Sequence, residues 1–207
     1  MISRIITLSK SVFLRFFLLG LALAFTQEPF NIPYCTFLVL PLVSFLAMRF
    51  LKTSKQYSIS GFVFGLGYFG LTFIWIINPF MVDPQKNLWL APIAYLLFIS
   101  ALSLFWALAF YFSNYLSKDG EEKSKKVLCL SILFALAELL RCYLFSGFPW
   151  AILSYGWLDT PVSVFVTWLG PYILNSIIII VGFNLFYSSK LNNAFRVIFL
   201  LMAFYGL

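Results

Sequence analysis

Glu138-Leu-Leu-Arg141-Cys-Tyr-Leu-Phe-Ser-Gly147-Phe148-Pro149-Trp150 sets a glutamate and an arginine three residues apart in an apolar run, then breaks the run with a glycine and a proline. Residues three apart share a helix face, so the two charges can neutralise each other. A charge inside a bilayer is costly and is kept where it is paired or functional. The run reads as a membrane-crossing helix with an internal Glu138–Arg141 pair, and this decides the class of the chain.

The remainder agrees. The chain has 207 residues, 62% of them hydrophobic and only 10% charged, against about 25% charged in a soluble domain. Apolar segments recur at about 11–26, 33–50, 57–77, 88–112, 127–145, 160–187 and 194–207. A helix needs about 20 apolar residues to cross a bilayer. The expected fold is an all-α membrane protein, a polytopic transmembrane helix bundle of about seven spans, forming one transmembrane domain over residues 1–207. The longest polar stretch, Ser113 to Lys126, is too short to fold alone. The last segment supplies about 21 Å of helix against a hydrocarbon core of about 30 Å. The chain is therefore expected to end within its seventh crossing, either as a half-inserted helix or, the favoured reading, as a truncated form of a longer ancestor.

Lysines and arginines set the expected orientation. Twelve lie in the N-terminal segment and the second, fourth and sixth connectors, while the alternate connectors hold only Lys86. This predicts a cytoplasmic N-terminus. Arg4, Lys10 and Arg15 before a short apolar run, with Ala22-Leu23-Ala24 after it, also resemble a cleaved leader. A first span with a snorkelling Arg15 explains the same residues. The net charge of +7 is spread over short loops rather than gathered on one face, so no nucleic-acid partner is expected.

Histidine is absent and the three cysteines have no metal-like spacing. His-based triads and most zinc sites are excluded, and no cofactor or metal is expected. Cys142 adjoins Arg141, but a thiol nucleophile needs an activating base, and the nearby Glu138 is expected to be engaged. No catalytic residue is assigned. Two readings of the Glu138–Arg141 pair stay open: an ion pair that fixes helix packing, or a guanidinium that grips a lipid phosphate in bidentate fashion. The segment Gly147, Phe148, Pro149 and Trp150 likewise reads as an aromatic belt or as a lipid entry point. In both, proline ends the helix, and Phe148, Trp150, Tyr155 and Trp157 suit the membrane–water interface. Gly61-x-x-x-Gly65 has the small-residue spacing of close helix packing, and Asn175, Ser176 and Asn184 are expected to bond neighbouring helices.

Four stretches resemble the membrane domain of the apolipoprotein N-acyltransferases. They are Leu23-Ala24-Phe25 with Pro29-Phe30; Gly61-Phe62-x-Phe64-Gly65-x-Gly67-x-Phe69-Gly70 with Trp75; Glu138-x-x-Arg141 with Gly147-Phe148-Pro149-Trp150; and Gly170-x-Tyr172 with Asn175. The resemblance implies a bacterial inner-membrane protein of lipoprotein biosynthesis whose bundle admits phospholipid and diacylated lipoprotein. In the family a nitrilase-like domain with a Glu-Lys-Cys triad follows on the periplasmic side, and nothing in residues 1–207 matches that triad. The implied role is the membrane half of the enzyme, inactive alone, with a separately encoded nitrilase-like domain as one partner. The alternative is a non-enzymatic polytopic protein: a lipid-binding module, small transporter or scaffold.

Overall fold

Each apolar run that falls among the described residues folds as a helix. The computed structural model describes residues 2–117, 120–144 and 147–187, with side chains from Ser11 onward. Seven α-helices are found there: α1 Ile2–Ala24, α2 Cys35–Phe50, α3 Ser54–Thr72, the one-turn α4 Pro84–Asn87, α5 Ala91–Leu116, α6 Lys123–Tyr143 and α7 Val164–Asn184. The described residues contain no strand. The expected seventh segment, 194–207, lies outside them.

The expectation of about seven spans is cut back by length and composition. Among the described residues, two helical stretches are long and apolar enough to cross a membrane unaided, Pro84–Leu116 and Pro161–Asn184. A third qualifies if α3 and the 3-10 turn Ile74–Met81 form one span bent by 49°. Two others miss for local reasons. Cys35–Phe50 is apolar but has only 16 residues, and α6 opens on Lys123, Lys125 and Lys126 and carries the Glu138–Arg141 pair.

Three boundaries also differ from expectation. Segment 57–77 breaks at Phe73 (φ −105°, ψ 18°) and continues as Ile74–Met81, in which no residue is buried. Segment 160–187 kinks at Gly170, whose φ of 75° and ψ of 162° are non-helical. The following Pro171 disfavours a helical residue before it, and glycine tolerates the positive φ. The connector 113–126 narrows to 117–122, because the Ser113 and Ser117 hydroxyls bond carbonyls within α5 and the helix runs on.

The six long helices close into a ring in the order α1, α3, α5, α6, α7, α2. Glycines bring α3 against both neighbours. A Cβ on Gly67 would strike the Phe17 carbonyl of α1, and one on Gly20 the Phe64 carbonyl of α3. The expected Gly61/Gly65 pair faces α5 instead, where a Cβ would lie 2.6 Å from the Trp106 carbonyl and 2.9 Å from Ser103. Between these helices sits an aromatic core of Phe64, Tyr68, Phe69, Trp106, Phe110 and Phe134. The ring closes where α7 meets α2: Gly182 lies against Leu40, and Ser44 donates to the Phe183 carbonyl at 2.9 Å. Of the expected polar contacts, Asn184 donates to Ser131 of α6 at 2.9 Å, whereas Ser176 bonds only its own helix, at the Tyr172 carbonyl.

Candidate functional site

The inner face of α6 carries Glu138 and Arg141 into the bundle, each only 1% exposed. They meet as the sequence spacing predicts. Arg141 Nη2 lies 2.7 Å from Glu138 Oε2 and Nε lies 3.0 Å from Oε1, a two-pronged grip. A buried ion pair is tolerable only where its remaining hydrogen-bonding capacity is also met. Trp106 of α5 donates its indole N–H to Glu138 Oε1 at 2.7 Å. Arg141 Nη1 donates to the carbonyls of Phe148 at 3.2 Å and Trp150 at 2.8 Å. The guanidinium carbon also lies 5.3 Å from the Phe69 ring centroid, within cation–π range. The ion pair expected from the sequence is formed, and its bonds tie α6 to α5 and to the following loop. Four of the five guanidinium N–H groups are taken up by these bonds.

The pair holds a loop. α6 ends at Tyr143, with Leu144 extended at φ −73° and ψ 159°, so the break precedes Gly147 and Pro149 rather than being made by the proline. Phe145 and Ser146 lie outside the described residues. Gly147 takes φ 80° and Ala151 takes φ 59°, left-handed values that turn the chain back across the bundle end. Two more buried side chains then take up the next carbonyls. Tyr68 donates to Ala151 at 2.8 Å, and Gln27 Nε2 donates to Ile152 at 3.4 Å. Arg141, Tyr68 and Gln27 thus fasten the loop from α6, α3 and the turn after α1. Asn175 of α7 adds a fourth tie, accepting from the Ser154 N–H at 3.3 Å.

Fastened from below, the loop presents its aromatic side outward. Trp150 is 56% exposed and its ring centroid lies 6.2 Å from that of Trp75, itself 46% exposed. Pro149 is half-buried. Phe148 packs inward against Phe73 at 5.5 Å and Phe98 at 5.2 Å. Trp157 departs from the interfacial expectation. It is fully buried, against Tyr34 and Phe37, because the 3-10 turn Leu153–Trp157 folds down onto α2.

Both Glu138 oxygens are engaged, and Cys142 is buried beside them at 3% exposure. Sequence reasoning missed Trp106, Tyr68 and Gln27. The available signal was general: tryptophan and tyrosine placed mid-span need partners for their polar tips.

Residues 19–184, which hold the ion pair, the loop and its fastenings, match the family described as apolipoprotein N-acyltransferase N-terminal domain. The chain belongs to the apolipoprotein N-acyltransferase family. The apolipoprotein N-acyltransferase of Brucella suis is 33% identical over 158 residues, covering 70% of this chain and 28% of the relative. That of Sinorhizobium fredii is 32% identical over 160 residues, covering 72% and 29%. That of Rhizobium meliloti is 31% identical over 156 residues, again 72% and 29%. The chain thus matches less than a third of the length of these apolipoprotein N-acyltransferases.

Proposed function

We propose that residues 1–207 are the lipid-admitting membrane part of an apolipoprotein N-acyltransferase in the bacterial inner membrane. In this reading α1, α2, α3, α5, α6 and α7 each cross the bilayer, the N-terminus is cytoplasmic, and the Gly147–Trp150 loop lies at the opposite face. Phospholipid as acyl donor and a diacylated lipoprotein as acceptor enter beside Trp150 and Trp75. Acyl transfer itself falls to a nitrilase-like domain, on the same chain or separately encoded.

The observation that carries the reading is the fastened loop. A buried ion pair, a tyrosine and a glutamine hold four backbone carbonyls between Phe148 and Ile152, while Trp150 is left exposed. A rigid aromatic edge at a bundle end suits the headgroup layer, where tryptophan is favoured. Glu138 and Arg141 serve it by positioning Phe148, Pro149 and Trp150 rather than by touching lipid.

The test is photo-crosslinking of a diazirine-bearing phospholipid to the purified chain. Adducts are expected near Trp150 and Trp75 and should fall several-fold in Trp150→Ala. Adducts that ignore the loop, or an unchanged yield in the variant, would remove the lipid-entry reading.

A further inference from the structure

The corner where α2 turns into α3 carries positive charge that the loop site does not use. Arg49 lies in the last turn of α2, Lys52 in the link, and Lys55 in the first turn of α3. The link is held firmly: Gln56 Oε1 accepts from the Lys52 N–H at 2.8 Å and the Thr53 N–H at 3.3 Å. A fourth charge arrives from another helix. The Arg15 guanidinium carbon of α1 lies 5.4 Å from the ring centroid of Phe50, the residue after Arg49. All four cationic side chains are exposed.

Their surroundings favour a net-negative ligand. No Asp or Glu occurs in α1, α2, the link or α3, and none in α7, which packs against α2. The acids Asp119, Glu121 and Glu122 belong to the α5–α6 connector, mixed there with lysines. That connector reaches the corner from the α3 side, where Asn114 of α5 donates to Ser54 at 2.9 Å, whereas Arg15 and Arg49 sit on the α1/α2 side, where Arg15 lies over Phe50.

An apolar strip begins at the two arginines and runs one way. Leu18, one turn on from Arg15, is 52% exposed, and Phe45, one turn before Arg49, is 44% exposed. α1 and α2 run in opposite directions through the 25–34 turn, so both apolar neighbours lie on the same side of the arginines. That is the layout of a phospholipid, with the phosphate at the guanidinium level and an acyl chain along the strip. We infer that the α1/α2–α3 corner binds the headgroup of an anionic phospholipid, Arg15 and Arg49 meeting its phosphate and Leu18 and Phe45 its acyl chain. Arg15 is pre-set for this by its stacking on Phe50, since an oriented guanidinium meets phosphate through a fixed fork.

The experiment is native mass spectrometry of the full chain released from mixed phosphatidylglycerol and phosphatidylcholine micelles. The chain is expected to retain phosphatidylglycerol selectively. Arg15→Gln with Arg49→Gln should lower that retention on the order of tenfold, each surface cation contributing a several-fold factor. Lys123→Gln with Lys125→Gln removes equal charge from α6 and should change it less than about twofold. Equal losses from the two pairs would mean a diffuse surface field, and no loss from the arginine pair would mean no site; either overturns the assignment. Lys52→Gln with Lys55→Gln, on exposed positions that leave the helix packing alone, should also lower retention several-fold, and an unchanged value would count against the site even if the arginine variant fails to fold. Excess inorganic phosphate should leave the lipid bound; its displacement would make this a bare anion site and sink the lipid assignment.

Discussion

Trp106 and Arg141 share one oxygen. Glu138 Oε1 accepts the indole N–H at 2.7 Å and the guanidinium Nε at 3.0 Å, so the ion pair read from one helix is a three-residue unit spanning α5 and α6. Trp106 is 1% exposed and packed against Phe64, Tyr68, Phe69 and Phe134, which fixes the direction of its N–H. The bundle's aromatic core therefore orients the carboxylate that orients the arginine that holds the loop.

Trp106→Phe keeps most of the ring packing and deletes the N–H. A hydrogen bond to a charged group contributes about 1.5–3 kcal/mol, and a stability loss in that range is expected. Thermal or denaturant unfolding in detergent measures it, and a neutral substitution would mean that the indole does not serve Glu138.

Glu138→Gln and Arg141→Gln each leave a buried charge without its partner, at a cost on the order of 3–5 kcal/mol. The double substitution should cost less than the sum of the two. A double-mutant cycle read by unfolding gives the coupling term, and strict additivity would contradict the contact.

Gly67 and Gly70 lie three residues apart on α3 and predict opposite outcomes. A Cβ at Gly67 would run into the backbone of α1, whereas one at Gly70 finds its nearest neighbour, the Tyr95 hydroxyl, at 3.7 Å. Gly67→Ala should destabilise by about 1–3 kcal/mol through overpacking. Gly70→Ala should be neutral or slightly stabilising, because alanine favours helix over glycine by about 1 kcal/mol. Melting temperatures of the two variants decide the matter.

Ser117 marks the end of α5 at the link to α6. With a cytoplasmic N-terminus, a Ser117→Cys variant in a background free of other cysteines should resist a membrane-impermeant thiol reagent added to intact cells and react after lysis. Ready labelling from outside would invert the proposed orientation.

Residues 1–207 alone should not acylate a diacylated lipopeptide with phospholipid as donor, because Glu138 is engaged and Cys142 is buried. The mass of the lipopeptide reports the outcome. Turnover abolished by Cys142→Ala would relocate the chemistry to this site.

The helices were legible because apolar runs and an i, i+3 charge pair are local patterns. Glu138 and Arg141 meet as their spacing requires. The break at Phe73 was not legible, since Ile74, Trp75, Ile76 and Ile77 continue the apolar run while the backbone leaves the α-helix. The function of Tyr68 and Gln27 was hidden for another reason. Their acceptors, Ala151 and Ile152, lie 83 and 125 residues away in sequence. Trp157 misled because an interfacial tryptophan and a core tryptophan look alike until the turn that carries them is placed. The loop's direction depends on Ala151 adopting φ 59°, a conformation that alanine rarely takes and its sequence context does not announce.

The seam between α2 and α7 joins Ser44 to Phe183, which are 139 residues apart. Translation at about 5–20 residues per second separates their synthesis by roughly 7–28 s. In the proposed topology α2 waits through that interval with its Leu40 and Ser44 side uncovered, the Ser44 hydroxyl held by the Pro41 carbonyl of its own helix at 2.9 Å. In that topology the nascent bundle is an open horseshoe until Gly182 arrives, and a faulty final seam is expected to leave it a substrate for the cell's membrane proteases.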